Sequence, residues 1–327
     1  MNFITGLLNA MPGAVSQGLI WGIMAIGVYI TYKILDVADL TVDGSLCTGA
    51  AICVLLTMHG VPVGIAMACA VLSGLIAGLV TGIFHTTCGI PAILAGILTQ
   101  LALYSINLRI MGWGTGGGKS NLPISVDKYD LLVSARHVRD AGLHNPVLLL
   151  AVFCVVLIAV LYWFFGREIG CALRATGANG NMARAQGINT NFTKVLGLML
   201  SNGLVALSGA LLAQYQGFAD INMGRGAIVV GLAAVIIGEV IFDKVFRNFA
   251  LKLLSAVIGA IIYYVVIQVV LRMGLSTDDL KLLTALVVAL FLAIPYWKGK
   301  LARRSAAAPA VVAAAAGATG KEDDGDA

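Results

Sequence analysis

Apolar runs of about twenty residues, parted by short polar interruptions, recur along this chain from Val15 to Trp297. A helix rises about 1.5 Å per residue and a bilayer's hydrocarbon core is about 30 Å thick, so a run of that length spans a membrane once. The candidate spans are Val15–Leu35, Gly44–Met58, Val61–Phe84, Ile90–Met111, Pro146–Phe165, Val195–Gln216, Ala227–Phe242, Leu251–Leu271 and Lys281–Trp297. The second is short, and Ile34–Leu46 around its start is unusually polar. Phe3–Met11 reads as an interfacial amphipathic helix or a further span. The expected fold is all-α, a polytopic transmembrane helical bundle of about eight to ten spans.

Only 11% of the 327 residues are charged, against roughly 25% in soluble domains. Gly74, Gly78 and Gly82 stand four apart within one run, a spacing that lets helix backbones approach closely where lipid supplies no hydrophobic drive. The organisation follows: an N-terminal interfacial segment at 1–14, a transmembrane domain at 15–297, and a tail at 298–327. That tail is Ala-rich, then acidic (Glu322, Asp323, Asp324, Asp326), and its composition predicts disorder.

Several function classes drop out. The net charge of +5 is modest and the basic residues sit at membrane edges, which is an anchoring signal and implies no nucleic acid. Six scattered cysteines form no CxxC pair and there is no histidine cluster, so neither a metal site nor a disulfide framework is expected. No cleavable signal peptide is apparent. No Ser/His/Asp or Cys/His constellation supports catalysis. Gly114–Ser120 imitates a phosphate-binding loop, but Trp113 occupies the position of the required first glycine, so ATP binding is not expected on this chain.

Orientation is read from basic residues at span ends. Lys298, Lys300, Arg303 and Arg304 place the C-terminus in the cytoplasm. Counting back, 166–194 is cytoplasmic and 112–145 external. The first carries four basic residues and one acidic, the second four basic and three acidic.

Within the cytoplasmic stretch, Ala175, Ala178, Met182 and Ala185 recur at three- and four-residue intervals and so share a helix face. Arg174, Gly177, Asn181 and Arg184 follow one residue earlier as a polar, basic stripe. A short helix with a small-residue face, held against the bilayer between two spans, suits docking of a partner protein.

Asp39–Gly44 imitates the start of a calcium loop, but Ala50 stands where a bidentate Glu is needed. An Asp at the centre of a membrane helix costs about 2.5–3.5 kcal/mol. Asp36, Asp39 and Asp43 therefore lie at the water interface or line a broken helix facing a polar cavity. Gln100, Asn107, Asn202, Glu239 and Gln268 fall within apolar runs, where each either makes an interhelical hydrogen bond or faces a pathway. Asp39, Thr41, Asp43, Gln100, Asn107, Asn202 and Glu239 are the expected pathway residues, with Asp39–Ser45 as a helix interruption.

The runs Gly166-Arg-Glu, Ala172-Leu-Arg-Ala, Asn181-Met-Ala-Arg-Ala-Gln-Gly-Ile-Asn189 and Ser208-Gly-Ala-Leu-Leu-Ala-Gln-Tyr215, with Gln17-Gly-Leu-Ile-Trp-Gly and Leu40-Thr-Val-Asp-Gly-Ser45, carry a family likeness. The chain resembles the integral-membrane permeases of ABC importers, in the branch serving branched-chain amino acids, ribose and nucleosides. It is most similar to the subgroup paired with lipoprotein-type binding proteins and assigned to aromatic amino acids or related solutes. The resemblance implies a bacterial plasma (inner) membrane location and no cofactor of its own, ATP being bound and hydrolysed by a partner subunit. It implies a cognate ABC ATPase, an extracytoplasmic substrate-binding lipoprotein and a second permease copy or related permease. It makes Arg174–Gly187 the ATPase-coupling segment, with Arg174, Ala175, Ala178, Met182, Arg184, Ala185 and Gly187 its contacts. Asp43 departs from the residues usual in sugar and amino-acid permeases, leaving amino acid, sugar and nucleoside open. An ion-gradient-driven secondary transporter using Asp36, Asp39, Asp43 or Glu239 is the alternative.

Overall fold

Ten helices and one small strand pair make up the described part of the chain. The computed structural model describes residues 3–272, except 115–116, 126–127, 130, 136–144, 243–245 and 247, and a few positions between 282 and 293. The chain divides into two units, Met1–Leu280 and Lys281–Ala327, and the architecture below is that of the first. The expected span Lys281–Trp297 lies for the most part, and the tail 298–327 entirely, outside the described residues.

In chain order the helices are α1 (Phe3–Tyr29), α2 (Thr41–Met58), α3 (Val63–Thr86), α4 (Ala92–Met111), α5 (Pro146–Phe165), α6 (Glu168–Ala178), α7 (Gly180–Ala185), α8 (Thr190–Gln216), α9 (Ala227–Phe242) and α10 (Phe249–Arg272). Strands β1 (Asn121–Pro123) and β2 (Phe218–Asp220) pair antiparallel, with Asn121 opposite Asp220. Seven helices are long and apolar enough to cross a membrane, and α9 is a shorter apolar helix.

Helix α8 is the axis of the bundle. It packs on α1, α2 and α3, and every residue from Ser201 to Tyr215 is buried. Its small residues explain the close contact. A methyl at Gly209 would overlap the Leu46 carbonyl of α2, and one at Gly49 of α2 would overlap Ala206. The four-spaced glycines of α3 face the same helix: Gly74 lies on Asn202, Gly78 on Leu198 and Gly82 on Val195. By contrast α4 and α5 are the least enclosed spans, with 28% of each apolar window buried. The exposed Val155 and Val160 of α5 are side chains that lipid or another protein would cover.

Two expectations change. The N-terminal segment is not a separate element: α1 runs unbroken from Phe3 into the first span, with Pro12 inside it. The interruption precedes rather than includes Thr41–Ser45. Helix α2 begins at Thr41, and the irregular stretch is Leu35–Leu40.

Candidate functional site

The first span ends in a π-helical turn, Ile30–Ile34, and Asp36 takes a left-handed conformation at φ 54°. Asp is among the few residues that tolerate that region, because its short side chain makes local hydrogen bonds. The chain then turns back into the bundle and delivers Asp39, 2% exposed, against α8.

Asp39 closes a polar network at the bundle centre. One carboxylate oxygen accepts the Thr41 backbone N–H at 2.9 Å, capping α2, and the other accepts Asn202 Nδ2 at 2.6 Å. Asn202 Oδ1 accepts the Ser45 hydroxyl at 2.6 Å. Thr41 shares a 2.8 Å hydrogen bond with Thr81 of α3, which donates at 2.9 Å to Thr99 of α4. Four helices are thus tied by side chains that would be costly to bury singly. Asp39→Ala removes the acceptor of two donors, and we expect a loss of about 2–4 kcal/mol from one unmade charge-assisted bond and one stranded amide. The check is the thermal unfolding midpoint in detergent, which Asp39→Asn should lower less. An unchanged midpoint in the alanine variant would refute the network's role.

Asp43 does a second capping job, across helices. Its two carboxylate oxygens accept the backbone N–H groups of Gly226 at 2.9 Å and Ile228 at 3.0 Å. A helix N-terminus leaves its first N–H groups unpaired and carries a partial positive charge. The carboxylate therefore pairs N–H groups at the start of α9 that the helix itself leaves unpaired. Gly224 lies so close to Asp43 that a methyl there would overlap the Asp43 carbonyl oxygen.

Beside this cap lies a cavity of about 340 Å³. Asp43, Cys47, Gln100, Tyr104, Asn107 and Arg225 are among its lining residues. Of the seven expected pathway residues, three therefore meet at one cavity: Asp43, Gln100 and Asn107. Asp39, Thr41 and Asn202 belong to the buried network, and Glu239 lies elsewhere, in an ion pair with Lys33 at 3.0 Å. Gln268 sits half-buried on α10. Arg225 and Tyr104 were not singled out from the sequence. Arg225 resembles any other loop arginine until β2 and the turn before α9 bring it beside α4.

The stretch 166–194 forms two helices, α6 and α7, instead of one. They are joined at Asn179, whose extended backbone (φ −160°) ends α6 and whose side chain caps α7 by accepting the Met182 N–H at 3.0 Å. Ala175, Ala178, Met182 and Ala185 are exposed, as are Arg174, Asn181, Arg184 and Gly187. Gly177 departs from the polar stripe assigned to it: it packs against the Ile34 carbonyl, where a methyl would overlap. The pair is fixed on its inner side by buried Leu173, Thr176 and Ala183. Thr176 and Thr193 share a 2.9 Å hydrogen bond, and Arg184 donates to Thr190 Oγ1 at 3.0 Å. Arg174 stands 5.8 Å from the Phe249 ring centroid. Through Gly177, α6 touches the end of the π turn that leads to Asp39.

These features define a polytopic helical membrane protein with a central polar network, an adjoining cavity and an anchored pair of short helices at one end. The family model described as "Branched-chain amino acid transport system / permease component" matches residues 11–303, and the chain belongs to that family. A tyrosine transport system permease protein of Clostridioides difficile (strain R20291) is 41% identical over 89% of this chain and 91% of its own length. An uncharacterized protein of Rickettsia prowazekii (strain Madrid E) is 35% identical over 86% of this chain and 96% of its own. The ribose import permease protein RbsC of Escherichia coli (strain K12) is 25% identical over 72% of this chain and 70% of its own. The chain is a permease of the ABC-importer class.

Proposed function

We propose that this permease forms the translocation pathway of an amino-acid importer, its substrate an aromatic or branched-chain amino acid. The reading of the substrate is supported by the likeness to the tyrosine transport permease and by a cavity that carries both an acid and a base, Asp43 and Arg225. A cognate ABC ATPase binds and hydrolyses ATP, and this chain needs no cofactor of its own. The observation that carries the coupling role is α6–α7, whose small-residue face is exposed while its inner face is locked to α8 and to the end of the first span. ATPase docking there would move the segment leading to Asp39, joining nucleotide state to the pathway. An extracytoplasmic binding lipoprotein delivers substrate, and a second permease copy or a related permease completes the assembly. The chain sits in a bacterial plasma membrane with α6, α7 and its C-terminus in the cytoplasm and the β1–β2 pair outside.

Reconstitution tests this. Alone in liposomes the permease should neither hydrolyse ATP nor concentrate L-tyrosine, and with its ATPase and binding protein it should do both. Uptake by the isolated chain driven by a proton or sodium gradient would overturn the reading. Asp39 is committed to the buried network and Glu239 to Lys33, which withdraws two of the carboxylates an ion carrier would use.

A further inference from the structure

Asn107 is 1% exposed, and among the described residues its side-chain oxygen has no hydrogen-bond partner. Its amide nitrogen donates a long 3.4 Å bond to the Gly44 carbonyl, which fixes the side chain at the cavity wall. A buried carbonyl left unpaired is costly, so this is a site at which a donor from outside the chain is stabilised. Asp43 adds to it. Each of its oxygens accepts one backbone N–H, and a carboxylate oxygen has capacity for a second donor. Arg225 lines the same cavity. Arg225 is exposed, and among the described residues its guanidinium has neither an ion-pair partner nor a hydrogen bond.

We propose that this cavity binds the transported amino acid as a zwitterion, Arg225 receiving the carboxylate, Asp43 and Asn107 the ammonium group, and Tyr104 the side chain. The assignment rests on the amino-acid reading above and deepens it. Three physical arguments support it. One negative and one positive side chain match a neutral ligand carrying one of each, whereas a sugar satisfies the Asn107 oxygen but offers the guanidinium no charge-assisted bond. The planar fork of arginine fits a carboxylate in two bonds at once. The cavity's 340 Å³ lies at the low end of the usual ligand range of roughly 300–1,000 Å³, which suits one amino acid and not a peptide. Tyr104 is 41% exposed and Leu101 63% exposed at the opening. An aromatic side chain can pack on them while its polar end is held inside.

The test uses the assembled importer in proteoliposomes, with native cysteines replaced and Leu101→Cys as a reporter on the cavity wall. L-Tyrosine should slow modification of the reporter by a small water-soluble thiol reagent. Tyramine, which lacks the carboxylate, and D-ribose should not. Arg225→Gln should raise the half-protecting concentration of L-tyrosine about tenfold or more, and Arg225→Lys less. The modification rate without ligand should stay that of the parent, which verifies that the variants fold. Equal protection by L-tyrosine in the parent and the Gln variant, or protection by tyramine, would overturn the assignment of Arg225. Uptake of L-tyrosine by the parent would still leave the amino-acid reading standing. Protection by D-ribose together with no uptake of any amino acid would overturn both.

Discussion

Ala178→Asp is expected to abolish ATP-driven uptake while the permease remains in the membrane at its normal level. Ala178 is exposed at the end of α6, so the new carboxylate meets water in the isolated chain. It would stand at a helix C-terminus, which is mildly unfavourable, and at the start of α7, which is mildly favourable, each by a few tenths of a kcal/mol. Folding should therefore not change. In a contact built from Ala175, Ala178, Met182 and Ala185, however, the same carboxylate would be buried without a partner, a penalty of several kcal/mol. Met182, 63% exposed, is a large apolar side chain that the described residues leave uncovered. Co-purification of the ATPase and uptake should both fall by at least about tenfold, since each 1.4 kcal/mol lost is a factor of ten in binding. Ala178→Ser should retain both. Normal co-purification and uptake in the Asp variant would remove α6 from the docking surface.

Gly78→Leu should cost the permease its fold, and Gly64→Leu, on the same helix, should not. A side chain at Gly78 would overlap the Leu198 carbonyl oxygen and the Met199 Cα, which are backbone atoms of α8 and have no rotamer by which to yield. At Gly64 no atom of the described residues lies within 4 Å. Overpacking a close contact typically costs about 1–3 kcal/mol, and more where backbone must move. Membrane yield, monodispersity in size-exclusion chromatography and the unfolding midpoint should all fall for Gly78→Leu alone. Equal behaviour of the two variants would mean that α3 does not pack on α8 as described.

Much of the fold is legible in the chain itself. Runs of apolar residues long enough to cross lipid must become helices, because no other continuous segment pairs its own backbone there. The four-spaced glycines announced a close helix contact, although which helix they met was not deducible. The polar stretch 166–194 was recognisable as an interruption too long for a turn. Its division at Asn179 was harder to foresee, since a side chain that caps the second helix competes with a continuous helical pattern on equal terms.

The aspartates mark the boundary between the two kinds of knowledge. Local sequence cost determined that Asp39 and Asp43 could not stand bare in lipid. Only the tertiary structure decided that each caps a helix start within the bundle, one its own α2 and the other the distant α9. A donor 183 residues away leaves no periodic trace. The same holds for the cavity. Gln100 and Asn107 stood out as polar residues in an apolar run, a local signal. Arg225 carried none, because its environment is made by a turn and by α4, joined only when the chain folds. The sequence by itself determined that the chain enters the membrane many times and which residues are too polar to face lipid. Which of those residues meet depended on helix packing, because hydropathy reports a residue's preference for water or lipid and carries no information about its neighbour.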